Sequence, residues 1–242
     1  MDRMIYLSMA GAKATMQRQD ALAHNLANAS TPGFRAEMTA FRAVPVLGQG
    51  ASTRVYALES TPGYNAEAGT AQPTGRNLDV AMQGNAWLAV QGLDGTEAYT
   101  RAGSLDVDAD GLLVTKTGLT VLGDGGPITL PQNAQLQIAP DGTITAAAVG
   151  QGKAQAVGKL KLVTPEAPLQ RGEDGLFRAA DGDLPADPNA RLQDGALEGS
   201  NVSAVETMIA MIAAARQFEQ QMKMVHTAQD KEQSAAKLLS NS

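Results

Sequence analysis

A helical hydrophobic pattern stands at each end of this chain and almost none lies between, which leaves few folds open. At the N-terminus Ile5, Met9, Ala12, Met16, Gln19, Ala23 and Leu26 recur at alternating spacings of four and three, with Leu22 widening the stripe. That is a heptad seam, and its alanines and methionines permit close, adaptable packing. A helix from about residue 3 to 28 is roughly 39 Å long at ~1.5 Å per residue. Thr31-Pro32-Gly33 ends it, because the residue before proline is pushed out of the helical region and glycine accepts the turn that follows.

The C-terminal pattern is longer. Leu197-Glu198-Gly199-Ser200-Asn201-Val202 opens it, and neither glycine nor proline occurs from there to the end beyond Gly199. Ser203-Ala204-Val205-Glu206 has the form of a capping box, with Asn201 as a competing cap. Val205, Met208, Ile212 and Ala215 make one stripe; Met211, Ala215, Phe218, Met222 and Val225 make a second. The stripe changes phase near Ala215, so the helix needs partners on more than one side, and a helix of this length exceeds what a small domain can cover.

Between the helices, residues 76–196 read as short strands separated by Gly, Asp, Pro and Asn turns. Trp87–Gln91 and Glu97–Arg101 flank Leu93-Asp94-Gly95-Thr96; Asp106–Gly111 joins Leu105 to Leu112-Leu113-Val114-Thr115; Asp141-Gly142 and Asp174-Gly175 repeat the turn chemistry. Residues 36–75, with Pro45, Pro62 and Pro73 and no clear period, read as an extended connector. The expected class is α+β: residues 1–35 and 197–242 as a terminal helical assembly domain, coiled-coil-like at its core, and 76–196 as a mainly antiparallel β domain.

Several functions are excluded or unsupported. A net charge of −6 with no basic stripe argues against nucleic acid. The chain has no cysteine, so no disulfide, thiolate metal site or cysteine nucleophile is available. No stretch reaches the ~18–20 apolar residues of a membrane span, and the N-terminus reads as a retained helix, not a signal peptide. Asp106–Asp110 imitates the start of a calcium loop, but position twelve is Thr117 and the flanks are strands. His24 and His226 have no metal-binding companions, and Gly150-Gln151-Gly152-Lys153 lacks the upstream glycine of a phosphate loop. The sequons at Asn28 and Asn201 are better explained as helix-end chemistry. No catalytic, cofactor-binding or metal-ligating residue is expected, and no cofactor.

Four ordered motifs carry a resemblance that covers nearly the whole chain. Asn25-Leu26-Ala27-Asn28 with Thr31-Pro32-Gly33-Phe34-Arg35, Leu78–Val90, Tyr99-Thr100-Arg101-Ala102-Gly103-Ser104-Leu105 and Leu197–Val202 resemble the signatures of bacterial flagellar rod and hook proteins. Phe41–Val46 and Gly158–Val163 are similar to the proximal-rod branch, with the distal rod as the main alternative. The resemblance implies a non-enzymatic structural subunit of the periplasmic rod of the basal body, serving motility. It would be exported by the flagellar type III apparatus and would polymerise through its terminal helices with copies of itself and with other proximal and distal rod proteins. It also implies that Asn25, Asn28, Ser200 and Asn201 cap and hold the helix–turn junctions, and that Leu26, Phe34, Leu197 and Val202 pack there. A secreted β-rich binding module and an enzyme built on the Asp-rich turns are the readings from other classes.

Overall fold

The computed structural model describes residues 2–45, 55–131, 134–148 and 154–240. The chain divides into two compact units, one of residues 1–29, 36–65 and 202–242, the other of 30–35 and 66–201.

In the first unit the helices α1 (Asp2–Ala27) and α2 (Ala204–Ser240) pack side by side. Ser203 starts α2: its Oγ accepts from the Glu206 amide at 3.4 Å and its carbonyl from the Thr207 amide at 2.9 Å. The competing cap, Asn201, turns its side chain elsewhere. Leu197 and Glu198 lie in a strand, so the helix opens later than the motif suggests.

The buried face of α1 runs through Ser8, Ala12, Thr15, Ala21 and Asn25, with Ile5, Gln19, Leu22 and Leu26 half-buried. Met9 and Met16, expected in the seam, are more than half exposed. On α2 the buried positions are Thr207, Ala214, Val225 and Ala228, with Met211, Phe218, Gln221 and Met222 half-buried, so the second of the two stripes meets α1. The first stripe does not: Val205, Met208 and Ile212, together with Ile209, are each more than half exposed. Small side chains let the helices approach. A Cβ on Gly11 would come within 3.1 Å of the Gln221 side chain, and the Thr15 hydroxyl is satisfied internally, donating to the Gly11 carbonyl at 2.8 Å. Small and polar residues thus take many of the most buried positions, while several large apolar ones, Tyr6, Met9, Met16, Val205, Met208, Ile209 and Ile212, stay exposed.

The expected connector is largely folded. Strands β1 (Glu37–Pro45) and β2 (Val55–Tyr64) form an antiparallel hairpin that packs on α1. Along β1 exposure alternates strictly from Glu37 to Arg42, but the inward set is Glu37, Thr39 and Phe41, too mixed in polarity to read as a period. The register of the pair slips between Met38 and Ala40. The Asn25 side-chain amide pairs with the backbone of Glu37 like a peptide, donating from Nδ2 at 2.9 Å and accepting at 2.7 Å. His24 Nδ1 meets the Glu37 carboxylate at 2.9 Å, and Asn28 donates to the His24 carbonyl at 2.9 Å. These contacts close the last turn of α1 onto β1.

The second unit is built of antiparallel strands: β3 (Ala71–Pro73), β4 (Val80–Met82), β5 (Trp87–Gln91), β6 (Glu97–Thr100) and shorter segments that follow. Its main sheet runs Leu162–Val163, β5, β6, Phe177–Arg178, Gln170–Arg171. A three-stranded sheet comprises Ala134–Ile138, Thr143–Ala148 and Gln155–Lys159. Val80, Leu88, Val90, Leu105, Leu113, Val121, Ile144 and Leu192 form the fully buried centre of one core. The lone Trp87 is also buried.

The Asp-Gly turns form as their residues dictate. The carboxylates of Asp94, Asp141 and Asp174 accept from backbone amides two residues on at 3.0–3.1 Å, and the glycines at 95, 142 and 175 take positive φ. Hydrogen bonds to Thr96, Thr143, Arg178 and Thr164 hold Asp94, Asp141, Asp174 and Asp187, respectively, below the usual carboxylate range. A depressed folded-state pKa contributes stability that is present above the unfolded value and lost as pH falls through the folded one. The melting temperature of this unit should therefore stay level between about pH 5 and 8 and fall progressively below about pH 4. A melting series across that range checks it.

Candidate functional site: a buried junction of three motifs

Three sequence motifs, far apart in the chain, meet in the interior of the second unit. Segment 30–35 brings Gly33, Phe34 and Arg35; the end of β6 brings Arg101; the strand Ala196–Glu198, paired with β3, brings Glu198. Arg35, Arg101 and Glu198 are all nearly inaccessible to solvent.

Glu198 stands between the two guanidinium groups. Its Oε1 accepts from Arg35 Nη2 at 2.8 Å and from the Gly69 amide at 3.0 Å, and its Oε2 accepts from Arg101 Nε at 2.8 Å. Backbone carbonyls take further N–H groups. Arg101 donates to Ala86, and to Gly84 at 3.0 Å; Arg35 donates to Glu67. One carboxylate thus serves two cations, with peptide dipoles supplying the remaining negative potential. Burial pulls the Arg101 pKa below its ordinary value while Glu198 opposes the shift. A cluster of this kind does more to fix a single geometry than to add net stability, because desolvation offsets much of the Coulomb attraction.

The backbones around it are in direct contact. Gly33 has φ +73°, and a Cβ there would overlap the backbone of Arg101 and Ala102. Gly69 lies against the Gly199 carbonyl and Gly103 against that of Val80, both too close for any side chain. The Gly33 amide donates to the Glu198 carbonyl at 2.8 Å, and the Asn201 amide to the Phe34 carbonyl at 3.3 Å. The Asn201 side chain donates to the Glu67 carbonyl at 2.8 Å. The stretches of chain leading to α1 and α2 are therefore bonded side by side within this unit.

Of the residues singled out from sequence, the junction gathers Gly33, Phe34, Glu198 and Asn201. Pro32 is exposed at its edge, and Leu197 and Ser200 are half-buried beside it, while Val202 begins the part of the chain assigned to the first unit. Ile5, Met9, Met16, Leu22, Asn25, Leu26 and Asn28 belong to the first unit, as do Val205, Met208, Ile212, Phe218, Met222 and Val225. Arg35 and Arg101 sit inside quoted motifs, but nothing in their spacing signals that they share one carboxylate. Among the described residues no group of three or more Asp, Glu, His or Cys side chains could hold a metal ion, and no helix is long and apolar enough to cross a membrane.

These motifs and the terminal helices define a class. The chain belongs to the family of flagellar basal-body rod and hook proteins. Family models match in chain order: "Flagella basal body rod protein" at residues 5–35, "Flagellar hook protein FlgE/F/G D1 domain" at 81–146 and "Flagellar basal body rod FlgEFG protein C-terminal" at 193–238. Among curated relatives it is similar to the flagellar basal-body rod protein FlgF of Escherichia coli K12 and that of Salmonella typhimurium LT2. Each is 48% identical over the full length of both chains. The rod protein FlgG of Bacillus subtilis is 31% identical over 94% of this chain and 96% of its own. The chain is a structural subunit of the flagellar basal-body rod, and the basal body is its location.

Proposed function

We propose that the chain is a non-enzymatic proximal-rod subunit, exported by the flagellar type III apparatus, that polymerises through α1 and α2 into a hollow, torque-transmitting shaft. Its neighbours are copies of itself and other proximal and distal rod proteins, joined by heterologous contacts that continue as an open helical array. One observation carries this reading: the helix pair leaves a set of large apolar side chains exposed. Val205, Met208, Ile209 and Ile212 on α2, and Tyr6, Met9 and Met16 on α1, are exposed, while Ser8, Gly11, Ala12, Thr15, Thr207 and Ala214 are buried or half-buried. An apolar stripe of that extent is the mark of a surface meant to be covered. Fuller identity to FlgF than to FlgG supports the proximal over the distal position.

The test replaces exposed residues without touching the buried ones. Ile209→Asp with Ile212→Asp removes two side chains each worth ~1.5–3 kcal/mol when buried and adds two charges to the covered face. Loss of swimming and of rod incorporation is expected, with the melting of the β unit unchanged. Normal swimming by a strain carrying both substitutions contradicts the proposal.

A further inference from the structure

Residues 147–192 lie outside all three family-model matches, yet they supply a side chain that grips the segment leading to α1. Arg171 stands on the edge strand Gln170–Arg171 of the main sheet. Its guanidinium lies over the Phe34 ring, 4.6 Å from the centroid, and its Nη1 donates to the Arg35 carbonyl at 3.0 Å. The same guanidinium is 5.7 Å from the Phe177 ring, Phe177 meets Trp87 at 4.7 Å between centroids, and Arg101 stands 5.7 Å from the Trp87 ring. A continuous run of arginine–ring and ring–ring contacts thus leads from Phe34 through Arg171, Phe177 and Trp87 to Arg101. Glu198 closes the circuit back to Arg35, the chain neighbour of Phe34.

We infer that Arg171 is a positioning residue for assembly: it fixes the Phe34–Arg35 segment, and so the exit of the chain toward α1. The geometry asks for arginine. A planar face stacks on Phe34 while an in-plane N–H reaches the carbonyl next to it. Lysine is a point charge that cannot do both, and methionine has the length without either. The energy comes from cation–π contact and one charge-assisted hydrogen bond, so its removal loosens the segment without emptying the core. The inference rests on the reading that the terminal helices build the rod.

Amide hydrogen exchange on the full-length chain tests the placement, comparing wild type with R171K, R171M, F34L and the double variant R171M/F34L. The Gly33 amide, bonded to the Glu198 carbonyl, and the Phe34 amide, bonded to that of Thr31, report on the segment; β5 amides report on the core. R171K and R171M should each exchange at Gly33 and Phe34 at least ~10-fold faster than wild type, with β5 unchanged. The double variant should be no faster than R171M alone, since both changes break one contact. In the parent bacterium R171M should at least halve the swimming rate. Unchanged exchange at Gly33 and Phe34, or equal acceleration in β5, overturns the inference. A loosened segment with normal swimming overturns the assembly role while leaving the rod reading intact, because the Ile209 and Ile212 substitutions test that reading separately.

Discussion

Glu198→Ala should lower the melting temperature of the β unit by roughly 10–20 °C, corresponding to about 3–5 kcal/mol. The loss is that large because of what remains. Arg35 and Arg101 are buried, and without the carboxylate between them two guanidinium groups face each other with only peptide carbonyls as counter-charge. Glu198→Gln should fall between wild type and alanine, keeping an acceptor oxygen but losing the charge. The contrast is Asp174→Asn, which weakens the partly exposed pair with Arg178 and should cost no more than about 1 kcal/mol. Thermal denaturation followed by circular dichroism checks all three, and similar melting for Glu198→Ala and Asp174→Asn contradicts the buried cluster. Swimming should be abolished by Glu198→Ala.

The second large effect belongs to Gly33→Ala. Two penalties combine there: the left-handed backbone at φ +73°, costing ~1–2 kcal/mol for a residue with a side chain, and the overlap of the new methyl with the backbone of Arg101 and Ala102. Neither partner is a flexible side-chain end, so the segment cannot relax by a rotamer change. It must lift away, breaking the Gly33–Glu198 hydrogen bond and pulling Arg35 from its carboxylate. Gly75 provides the control, with φ +71° and open space where a Cβ would go. Gly75→Ala should cost only the backbone term, ~1–2 kcal/mol, and leave swimming intact. Gly33→Ala should destabilise the unit by several times that and abolish swimming. Equal melting temperatures for the two variants would show that the backbone contact is not made.

Local chemistry made much of this fold readable in advance. The long unbroken C-terminal helix, the end of α1 and the Asp-Gly hairpin turns each follow from a few adjacent residues. The turns form where those residues place them, while α1 ends at Ala27, ahead of Pro32, and α2 begins at Ala204, after the strand that holds Leu197 and Glu198. What local patterns hid depends on partners distant in sequence. The seam of α1 lies one residue from the stripe that Met9 and Met16 suggest, because hydrophobicity marks surfaces that will be covered by anything, not only by α2. The hairpin of β1 and β2 was concealed by an inward face of Glu37, Thr39 and Phe41, mixed in polarity, of which Glu37 bonds to His24 and Asn25 of α1. In the junction the glycine and aromatic of Gly33-Phe34 were legible as a motif, but the charge relation among Arg35, Arg101 and Glu198 was not. No spacing rule links residues that far apart.

That arrangement of the buried ions also sets a timetable. The two arginines come early and midway in the chain, and the carboxylate they share comes late, at position 198 of 242. A polypeptide appearing N-terminus first, from a ribosome or through any narrow passage, holds both cations long before it holds their anion. Until residue 198 emerges, closing the β unit would enclose both cations with only peptide carbonyls beside them, so an incomplete length closes less stably than the finished one. Full stability of the β unit is thereby tied to arrival of the segment that immediately precedes α2, so the unit gains its last buried charge just before the second helix follows.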